Sequence, residues 1–342
     1  MMSKLYSIGL GVGTKNRKGE WLEVFFPQPL LQPSPAWKAA ISTTPYQEGN
    51  QTIELSNDEV AEFLTEAEKD GADTHFVKRL ASTQQPLVLV ILENDAPPAT
   101  VAEAYLKLHL LSHRLVKPHE TNLSGIFGVL PNVAWTSHGA IDLEELAEKQ
   151  LEARLKGEIL EVACVDKFPK MTNYVVPKGV RIAHTARVRL GAYLGEGTTI
   201  MHEGFVNFNA GTAGPGMIEG RISAGVFVGS GSDLGGGCST MGTLSGGNNV
   251  IISVGNECLI GANAGVGIPL GDRCTIEAGL YLTGGAKVAI IDDSGECIKT
   301  VKAARLAGKS DLLFRRNSTT GAIECLTNKS AIELNEALHA NN

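Results

Sequence analysis

The feature that most constrains the fold of this chain is a six-residue repeat of aliphatic residues that begins near residue 176. The repeat falls into four runs: Ile182, Val188, Leu194, Ile200 and Val206; Ile222, Val228 and Leu234; Val254, Ile260 and Val266; and Leu270, Ile276, Leu282 and Val288. An α-helix needs a spacing of about 3.6 and a flat strand a spacing of about two, so neither fits. A period of six predicts a parallel β-helix, in which each hexad supplies one short strand and one turn.

The repeat slips twice. The segment NAGTAGPG (209–216) separates Val206 from Ile222, and the segment TLSGGNN (243–249) precedes Val254. Extra residues in a solenoid project sideways as loops, and such loops often carry function. We therefore predict two inserted loops. The residues after the first loop, MIEGRISAG (217–225), are then free to face a groove.

Glycine is concentrated in the repeat. Residues 176–290 hold 26 of the 39 glycines in the 342-residue chain. We predict an N-terminal α/β domain over 1–175, a left-handed parallel β-helix over 176–290 and a C-terminal extension or cap over 291–342.

Local periodicity predicts further elements outside the repeat. In the N-terminal domain, apolar spacing predicts helices at 58–71, 100–116 and 141–157, and the apolar run at 85–93 predicts a buried strand. In the cap we predict a short helix within 301–310, two strands within 312–326 joined near TTG, and a terminal helix at 331–341.

Composition limits the classes of function. Hydrophobic residues make up 43% and charged residues 20%, which is typical of a soluble globular protein. The net charge of −7 and the lack of a basic tract disfavour nucleic-acid binding. We see no signal peptide and no apolar run that could span a membrane. The six cysteines are scattered without a CxxC pair, so we expect a reducing, cytoplasmic location.

Six motifs together resemble one enzyme family. They are MHEGFVNFNAGT (201–212), MIEGRISAG (217–225), GSDLGGGCSTMGTLSGG (231–247), LIGANAGVGIPLGD (259–272), EAGLYLTGG (277–285) and LLFRRNS (312–318). They closely resemble the longer form of the tetrahydrodipicolinate N-succinyltransferases, most strongly from about residue 160 onward. The resemblance implies a homotrimer with active sites between adjacent β-helices. It also implies transfer of succinyl from succinyl-CoA to the amine of hydrated, ring-opened tetrahydrodipicolinate, in diaminopimelate and lysine biosynthesis.

Acyl transfer to an amine needs a base or nucleophile and donors for the oxyanion. The resemblance makes Glu219 the catalytic carboxylate and gives Gly242 a backbone N–H for the oxyanion. Glu219 and Arg221 are two residues apart, so both side chains lie on the same side if the chain is extended. That geometry also permits a purely structural ion pair, and Gly242 could equally be a turn residue. An acyl-anhydride route and direct attack with general-base help both stay open.

A larger set of residues matches positions that bind acyl-CoA in the family. Arginine suits its phosphates because the guanidinium is a planar fork of donors. The alternative for the glycines and alanines is a turn, and for the arginines a solvated or ion-paired surface. The set comprises Arg221, Gly236, Ser239, Ala262, Glu277, Ala278, Gly285, Lys302, Arg315, Arg316, Asn317 and Ser318.

Glu203 is the rival catalytic acid. Adjacent residues on a strand point to opposite faces, so we expect His202 and Glu203 to act separately. In the family the acid of this motif is associated with Mg²⁺ on the trimer axis, and some members add a second acid where this chain has Ala186. We expect the chemistry to need no cofactor beyond succinyl-CoA as cosubstrate. Glu203 is either a metal ligand contributed by each subunit or a structural acid at the interface.

Two other functions are compatible with a hexapeptide β-helix. One is a different CoA-dependent N-acyltransferase, for example one that uses acetyl-CoA, and the other is a non-catalytic scaffold. A carbonic anhydrase of this fold needs three zinc-binding histidines, whereas only His184 and His202 lie in the repeat.

Overall fold

The computed structural model describes residues 5–243 and 250–327. These residues form two compact units. The first lies within Met1–Val116 and Glu120–Pro169, and the second within Lys117–His119 and Lys170–Asn342. In the described parts of the chain, no helix is both long and apolar enough to cross a membrane.

The first unit combines short strands with five helices in its described residues. Its elements are β1 (Ser7–Lys15), β2 (Trp21–Phe25), β3 (Leu30–Leu31), α1 (Pro35–Ala40), β4 (Gln51–Leu55), α2 (Asn57–Lys69), β5 (Leu87–Leu92), α3 (Val101–Ser112), α4 (Ile126–Val129), β6 (Val133–Thr136), β7 (Gly139–Asp142), α5 (Leu143–Leu155) and β8 (Val162–Asp166).

Two antiparallel sheets organise this unit. The larger has the strand order β2-β1-β5-β4, with β3 beside β1, and the smaller has the order β7-β6-β8. Every residue of β5 is buried, which confirms the strand predicted from the apolar run at 85–93. Strands buried on both faces read as continuous apolar runs for this reason.

Local sequence signals set where the helices begin. A capping box opens α2: the Ser56 side chain accepts a hydrogen bond from the Glu59 N–H, and the Glu59 carboxylate accepts one from the Ser56 N–H. The residue before α3 and the residue before α5 also cap their helices through side-chain oxygens. The structure confirms the helices predicted at 58–71, 100–116 and 141–157.

The second unit is a stack of very short strands followed by C-terminal strands that extend one of its sheets. Its strands are β9 (Arg181–Ile182), β10 (Ala192–Leu194), β11 (Thr198–Ile200), β12 (Phe205–Val206), β13 (Ala210–Thr212), β14 (Gly216–Ile218), β15 (Arg221–Ile222), β16 (Phe227–Val228), β17 (Asp233–Leu234), β18 (Ser239–Thr240), β19 (Ser253–Val254), β20 (Leu259–Ile260), β21 (Gly265–Gly267), β22 (Thr275–Ile276), β23 (Tyr281–Thr283), β24 (Lys287–Ile291), β25 (Cys297–Lys302), β26 (Leu312–Arg316) and β27 (Ile323–Thr327).

The short strands form the three faces of a parallel β-helix. The first face is β10-β13-β16-β19, the second is β9-β11-β14-β17-β20-β22, and the third is β12-β15-β18-β21-β23. From β10 to β21 the chain visits the faces in that order, one strand per face in each coil, whereas the last coil contributes only β22 and β23. The predicted β-helix is therefore confirmed.

Inward residues stack in register from coil to coil. On the second face Ile200 pairs with Ile218, and the column continues through Leu234, Ile260 and Ile276. All five are fully buried. Burying such a side chain contributes about 1.5–3 kcal/mol, so the repeated aliphatic position accounts for the core of the stack.

The first predicted loop is wrong. Residues 209–216 do not leave the helix, because they contribute β13 and the start of β14, both paired with the coils on either side. Thr212 and Ile218 occupy the two inward positions there and are buried. The register instead shortens between Ile218 and Ile222, which stand four residues apart rather than six. The irregularity is a loss of two residues, not an insertion.

The second break does contain extra residues. The inward positions Thr240 and Val254 are 14 residues apart, eight more than one hexad. Thr243 and Ile251 pair antiparallel on either side of the extra segment, whose residues 244–249 lie outside the described part of the chain.

The C-terminal region extends the second face. β26 joins β22 in parallel and forms an antiparallel hairpin with β27, which confirms the two strands predicted within 312–326. The short helix predicted within 301–310 is reduced to a 3₁₀ turn at Ala303–Leu306. The terminal helix predicted at 331–341 lies outside the described residues.

Candidate active site

The predicted site residues cluster along two edges of the β-helix. We call the corner between the second and third faces the 219 edge, and it is marked by Glu219, Gly236, Ala262 and Ala278. The corner where third-face strands end is the 242 edge, marked by Gly242 and Gly285. Successive coils stack at about the spacing of neighbouring strands, so each edge is a column.

Glu219 lies in the shortened turn between β14 and β15. Its backbone N–H bonds the carbonyl of Leu234 at 2.8 Å, and it is half-buried. A Cβ added at Gly236 would lie 3.3 Å from Glu219 Oε2, so the carboxylate lies next to this glycine of the following coil. Within the described residues, the Glu219 side chain forms no ion pair or hydrogen bond, so a structural pair with Arg221 is not seen. The carboxylate is available to a ligand.

Cys238 is buried against the turn that carries Glu219. A Cβ at Gly220 would collide with its Sγ, so the close approach of the two coils requires glycine there. Burial and the nearby charge of Glu219 raise the pKa of the Cys238 thiol to about 12. The neutral thiol is a packing group and not a nucleophile.

The 219 edge continues upward through the predicted acyl-CoA residues. The Asn263 N–H bonds the Gly236 carbonyl at 2.9 Å, and the Gly279 N–H bonds the Ala262 carbonyl at 2.8 Å. One level higher the Glu277 carboxylate accepts the Arg316 N–H at 2.6 Å. The column from Glu219 to Arg316 covers four strand spacings, roughly 20 Å. It is long enough for an extended ligand.

Arg221 and Ser239 stand beside this column on the third face. They are register partners on β15 and β18, and Arg221 donates from Nε and Nη2 to Ser239 Oγ at 3.1 and 2.5 Å. The hydroxyl fixes the guanidinium while leaving Nη1 unused by Ser239. Two residues predicted separately thus form one contact.

The hairpin β26–β27 carries the remaining predicted cations. Arg315 Nε bonds Glu324 Oε2 at 2.9 Å, and Asn317 Nδ2 bonds Glu324 Oε1 at 2.8 Å. Arg316 points to the other side of the strand, and its Nη1 donates to the Gly321 carbonyl at 3.0 Å. Ser318 is exposed in the turn.

The 242 edge presents backbone groups and the predicted cation Lys302. Gly242 follows β18, and its N–H has no hydrogen-bond acceptor among residues 5–243 and 250–327. Gly285 follows β23, and a Cβ there would meet nothing within 4 Å. Lys302 ends β25 opposite Lys287, next to the Ala303 N–H that bonds the carbonyl of Ala286 at 2.9 Å. A backbone N–H without an acceptor in the described part of the chain suits an oxyanion donor.

One chain does not bring Glu219 and Gly242 together. Glu219 lies over Gly236, whereas Gly242 lies six residues further along the same coil, beside the carbonyl of Ala224. Gly236 precedes β18 and Gly242 follows it, so the two positions lie at opposite ends of this strand. The two edges therefore hold separate halves of the predicted site.

Glu203 lies on the 219 edge one coil below Glu219. Its carboxylate bonds Arg187 Nη2 and His202 Nδ1, both at 2.9 Å. The prediction that His202 and Glu203 act separately is wrong, because the two lie in a turn where strand alternation does not apply. The His202 hydrogen bond and the Arg187 charge lower the pKa of the Glu203 carboxyl, which makes it a weaker base.

The surroundings of Glu203 do not fit a hard dication within one chain. Mg²⁺ prefers several oxygen ligands, whereas the partners here are a guanidinium and an imidazole. Among the residues that the structure describes, no group of three or more His, Cys, Asp and Glu could hold a metal ion. A metal at Glu203 stays a prediction that requires further copies of the chain.

Two residues beside the site were not predicted. Glu324 organises the basic hairpin, and Tyr281 lies partly exposed with its ring over Gly265 on the third face. The predicted turn near TTG places Arg315 opposite Glu324, so the hairpin register could have identified the acid. Nothing in a six-residue period singles out an outward tyrosine.

A three-faced parallel β-helix with a carboxylate, glycine-lined edges and a basic hairpin is typical of the class of hexapeptide-repeat acyltransferases. Three family models match the chain: "Tetrahydrodipicolinate N-succinyltransferase N-terminal" over 38–128, "Tetrahydrodipicolinate N-succinyltransferase middle" over 130–170, and "Hexapeptide repeat of succinyl-transferase" over 251–284.

Curated relatives and a solved structure agree with these matches. The chain is 68% identical to a 2,3,4,5-tetrahydropyridine-2,6-dicarboxylate N-succinyltransferase of Pseudomonas putida over 100% of both chains. It is 61% identical to the enzyme of that name from Vibrio cholerae, over 98% of this chain and 99% of the relative. A Campylobacter jejuni crystal structure described as a 2,3,4,5-tetrahydropyridine-2-carboxylate N-succinyltransferase superposes with a TM-score of 0.87 at 33% identity, covering 96% of this chain and 94% of the other. The chain belongs to the tetrahydrodipicolinate N-succinyltransferase family, and its β-helix is left-handed.

Proposed function

We propose that this protein transfers the succinyl group of succinyl-CoA to the amine of hydrated, ring-opened tetrahydrodipicolinate. The products are N-succinyl-2-amino-6-oxopimelate and CoA, in diaminopimelate and lysine biosynthesis. The observation that carries this proposal is the 219 edge, where a carboxylate without a partner among the described residues lies on a column that ends in a basic hairpin. A protein of this kind works in the cytoplasm.

The residues of the 219 edge suit the two ligands. Succinyl-CoA is a long thioester with phosphates at one end, and the column offers backbone groups along its length and Arg316 at its end. Both substrates carry carboxylates, and Arg221, held by Ser239, offers a fixed guanidinium to one of them. In this arrangement the thioester carbonyl lies near Glu219.

Glu219 and Gly242 perform the chemistry. The amine nitrogen forms a bond to the thioester carbonyl carbon, the carbon–sulfur bond breaks, and CoA leaves as the thiolate, which takes up a proton. Glu219 either accepts the proton lost by the amine, or it first attacks the carbonyl and expels CoA to give an acyl anhydride; the amine then attacks this anhydride, the Glu219 carboxylate is released, and the amine proton goes to the thiolate. The Gly242 N–H donates to the oxyanion that forms in either route.

The active form is a homotrimer whose sites lie between subunits. In one chain the two edges stand at opposite ends of a face, so Glu219 of one subunit would meet Gly242 of its neighbour. Gly285 and Lys302 of the 242 edge would then face the same ligand from the other side. Such a site is incomplete in a single chain.

A CoA-release assay tests the proposed activity. Purified protein is given tetrahydrodipicolinate with either succinyl-CoA or acetyl-CoA, and free thiol is followed with time. We expect release that depends on both substrates and favours succinyl-CoA by a large factor. A strong preference for acetyl-CoA would contradict the succinyl assignment, and release independent of the amine would contradict transfer.

Mixed trimers test the shared site. Glu219→Gln and Gly242→Pro chains are each expected to be nearly inactive alone. When they are unfolded together and refolded, a shared site predicts partial recovery, because some interfaces then join an intact Glu219 to an intact Gly242. No recovery in trimers shown to be mixed would place both residues in a site within one chain.

A further inference from the structure

The hairpin β26–β27 contains a buried carboxylate to which no role has been assigned. Glu324 is 8% exposed and lies directly opposite Arg315 in the antiparallel register. Its two oxygens have different partners: Oε2 accepts from Arg315 Nε at 2.9 Å and Oε1 accepts from Asn317 Nδ2 at 2.8 Å. A buried carboxylate is costly unless both oxygens are hydrogen-bonded, and here both are.

The same network shapes the turn of the hairpin. Asn317 Oδ1 accepts the N–H groups of Thr319 and Thr320, both at 3.0 Å, and the Asn317 N–H bonds the carbonyl of Ala322 at 2.8 Å. Asn317 therefore links Glu324 to the turn residues. Hydrogen bonds from Asn317 and Arg315 lower the pKa of the Glu324 carboxyl, so it stays ionised at neutral pH.

The two arginines consequently differ in what they offer a ligand. The Arg315 charge is compensated by Glu324, whereas the Arg316 side chain bonds only a neutral carbonyl among the described residues. The Arg316 backbone is itself fixed to the 219 edge through Glu277. Arg316 is thus the cation of this pair that can meet a phosphate, and Arg315 is part of the frame.

We propose that Glu324 is a positioning residue for acyl-CoA, which acts by holding Arg315 and Asn317 so that Arg316 and Ser318 face the phosphates. This inference rests on the proposed function and adds to it a residue that does not touch the substrate. Loss of Glu324 should weaken binding of the phosphate-bearing end of the thioester and leave the acyl-transfer step intact.

Steady-state kinetics with two thioesters test this role. The enzyme is assayed with succinyl-CoA and with succinyl-pantetheine, which lacks the nucleotide phosphates. For Glu324→Ala we expect KM for succinyl-CoA to rise roughly tenfold, because about one charge-assisted hydrogen bond to the ligand is lost. The value of kcat should be nearly unchanged. KM for succinyl-pantetheine should stay at the wild-type value.

The conservative variant and a matched control complete the test. Glu324→Gln keeps one acceptor oxygen but turns its NH₂ group toward the other donor. We therefore expect an intermediate rise in KM for succinyl-CoA. This variant replaces Glu324→Ala if Glu324→Ala does not fold. Glu296→Ala removes an exposed acid from the turn between β24 and β25 and should change neither KM. Equal changes for both thioesters, or none for either, would overturn the positioning role. Wild-type protein inactive with both thioesters would instead contradict the proposed function.

Discussion

The two edges of the third face are built differently although the same repeat makes both. Among the described residues, the 219 edge presents side chains: a carboxylate without a partner, a braced arginine and a basic hairpin. The 242 edge presents a backbone N–H without an acceptor in that part of the chain, an open glycine and a lysine. Under the proposed function, proton transfer or nucleophilic attack belongs to one edge and oxyanion stabilisation to the other, so neither edge would be a site by itself.

Removing the carboxylate tests the chemical role of the 219 edge most directly. Glu219→Gln should lower kcat roughly 10³-fold, because the amide is neither a base nor a nucleophile, with trimer and unfolding temperature unchanged. Glu203→Gln should lower kcat by less than about tenfold, since its carboxylate is already occupied by Arg187 and His202. If Glu203→Gln proved the more damaging of the two folded variants, the roles would be reversed.

Removing the backbone donor tests the 242 edge. Gly242→Pro deletes the N–H and should lower kcat roughly 10²–10³-fold, with a smaller change in KM for succinyl-CoA. Gly242→Ala keeps the N–H and places its Cβ 3.3 Å from the Ala224 carbonyl, so it serves as the matched control. Equal losses in both variants would show that the site tolerates no side chain there and would leave the N–H without a role.

Crowding Glu219 sharpens the comparison without removing any chemical group. A Cβ at Gly236 would lie 3.3 Å from Glu219 Oε2, so Gly236→Ala should displace the carboxylate and reduce kcat roughly tenfold. Gly128→Ala adds the same methyl group where nothing lies within 4 Å and should have no effect. Unchanged kcat in Gly236→Ala would mean that the carboxylate position is not critical.

Mild acid should lower the free energy of unfolding of the first unit, which contains neither edge. His109 is fully buried, its Nε2 accepts the Phe26 N–H at 3.2 Å, and burial lowers its pKa from 6.5 to about 3. Below pH 6.5 His109 takes up a proton in the unfolded chain but not in the folded one. The free energy of unfolding therefore falls as pH drops from about 6.5 toward 3, by about 2 kcal/mol at pH 5.

Urea unfolding at pH 7.5 and 5 measures this loss of stability. The loss should be smaller in His109→Gln. An unchanged pH dependence in that variant would exclude His109 as its source.

The six-residue period predicted the β-helix because its inward positions are almost all aliphatic. It failed at Thr212, which is buried inside the stack but polar. The free-energy cost of burying its hydroxyl is offset by a hydrogen bond of 2.7 Å between the hydroxyls of Thr198 and Thr212. Since that bond is not visible in the sequence, the pattern predicts a loop at 209–216 where the chain forms a continuous run of strands.

The sequence predicts candidate site residues one by one, but it does not predict that they divide between two edges. A period of six says which residues point inward, yet it does not say which corner a residue occupies unless the coils are counted. Counting from Val206 with the shortened turn included would have placed Glu219 and Gly242 at different corners. The contact between His202 and Glu203 depends on turn geometry, and the bracing of Arg315 by Glu324 depends on strand register.

The four-residue spacing between Ile218 and Ile222 has a consequence for how this enzyme can vary in length. Two residues added there would give a regular coil with an unbroken aliphatic stack, and the Glu219 side chain would no longer occupy the tight turn. If Glu219 has its proposed role, selection for a stable solenoid would accept such a chain, while selection for growth without lysine would reject it. Chain length at this one corner would then be constrained by catalysis, even though the fold itself would tolerate the change.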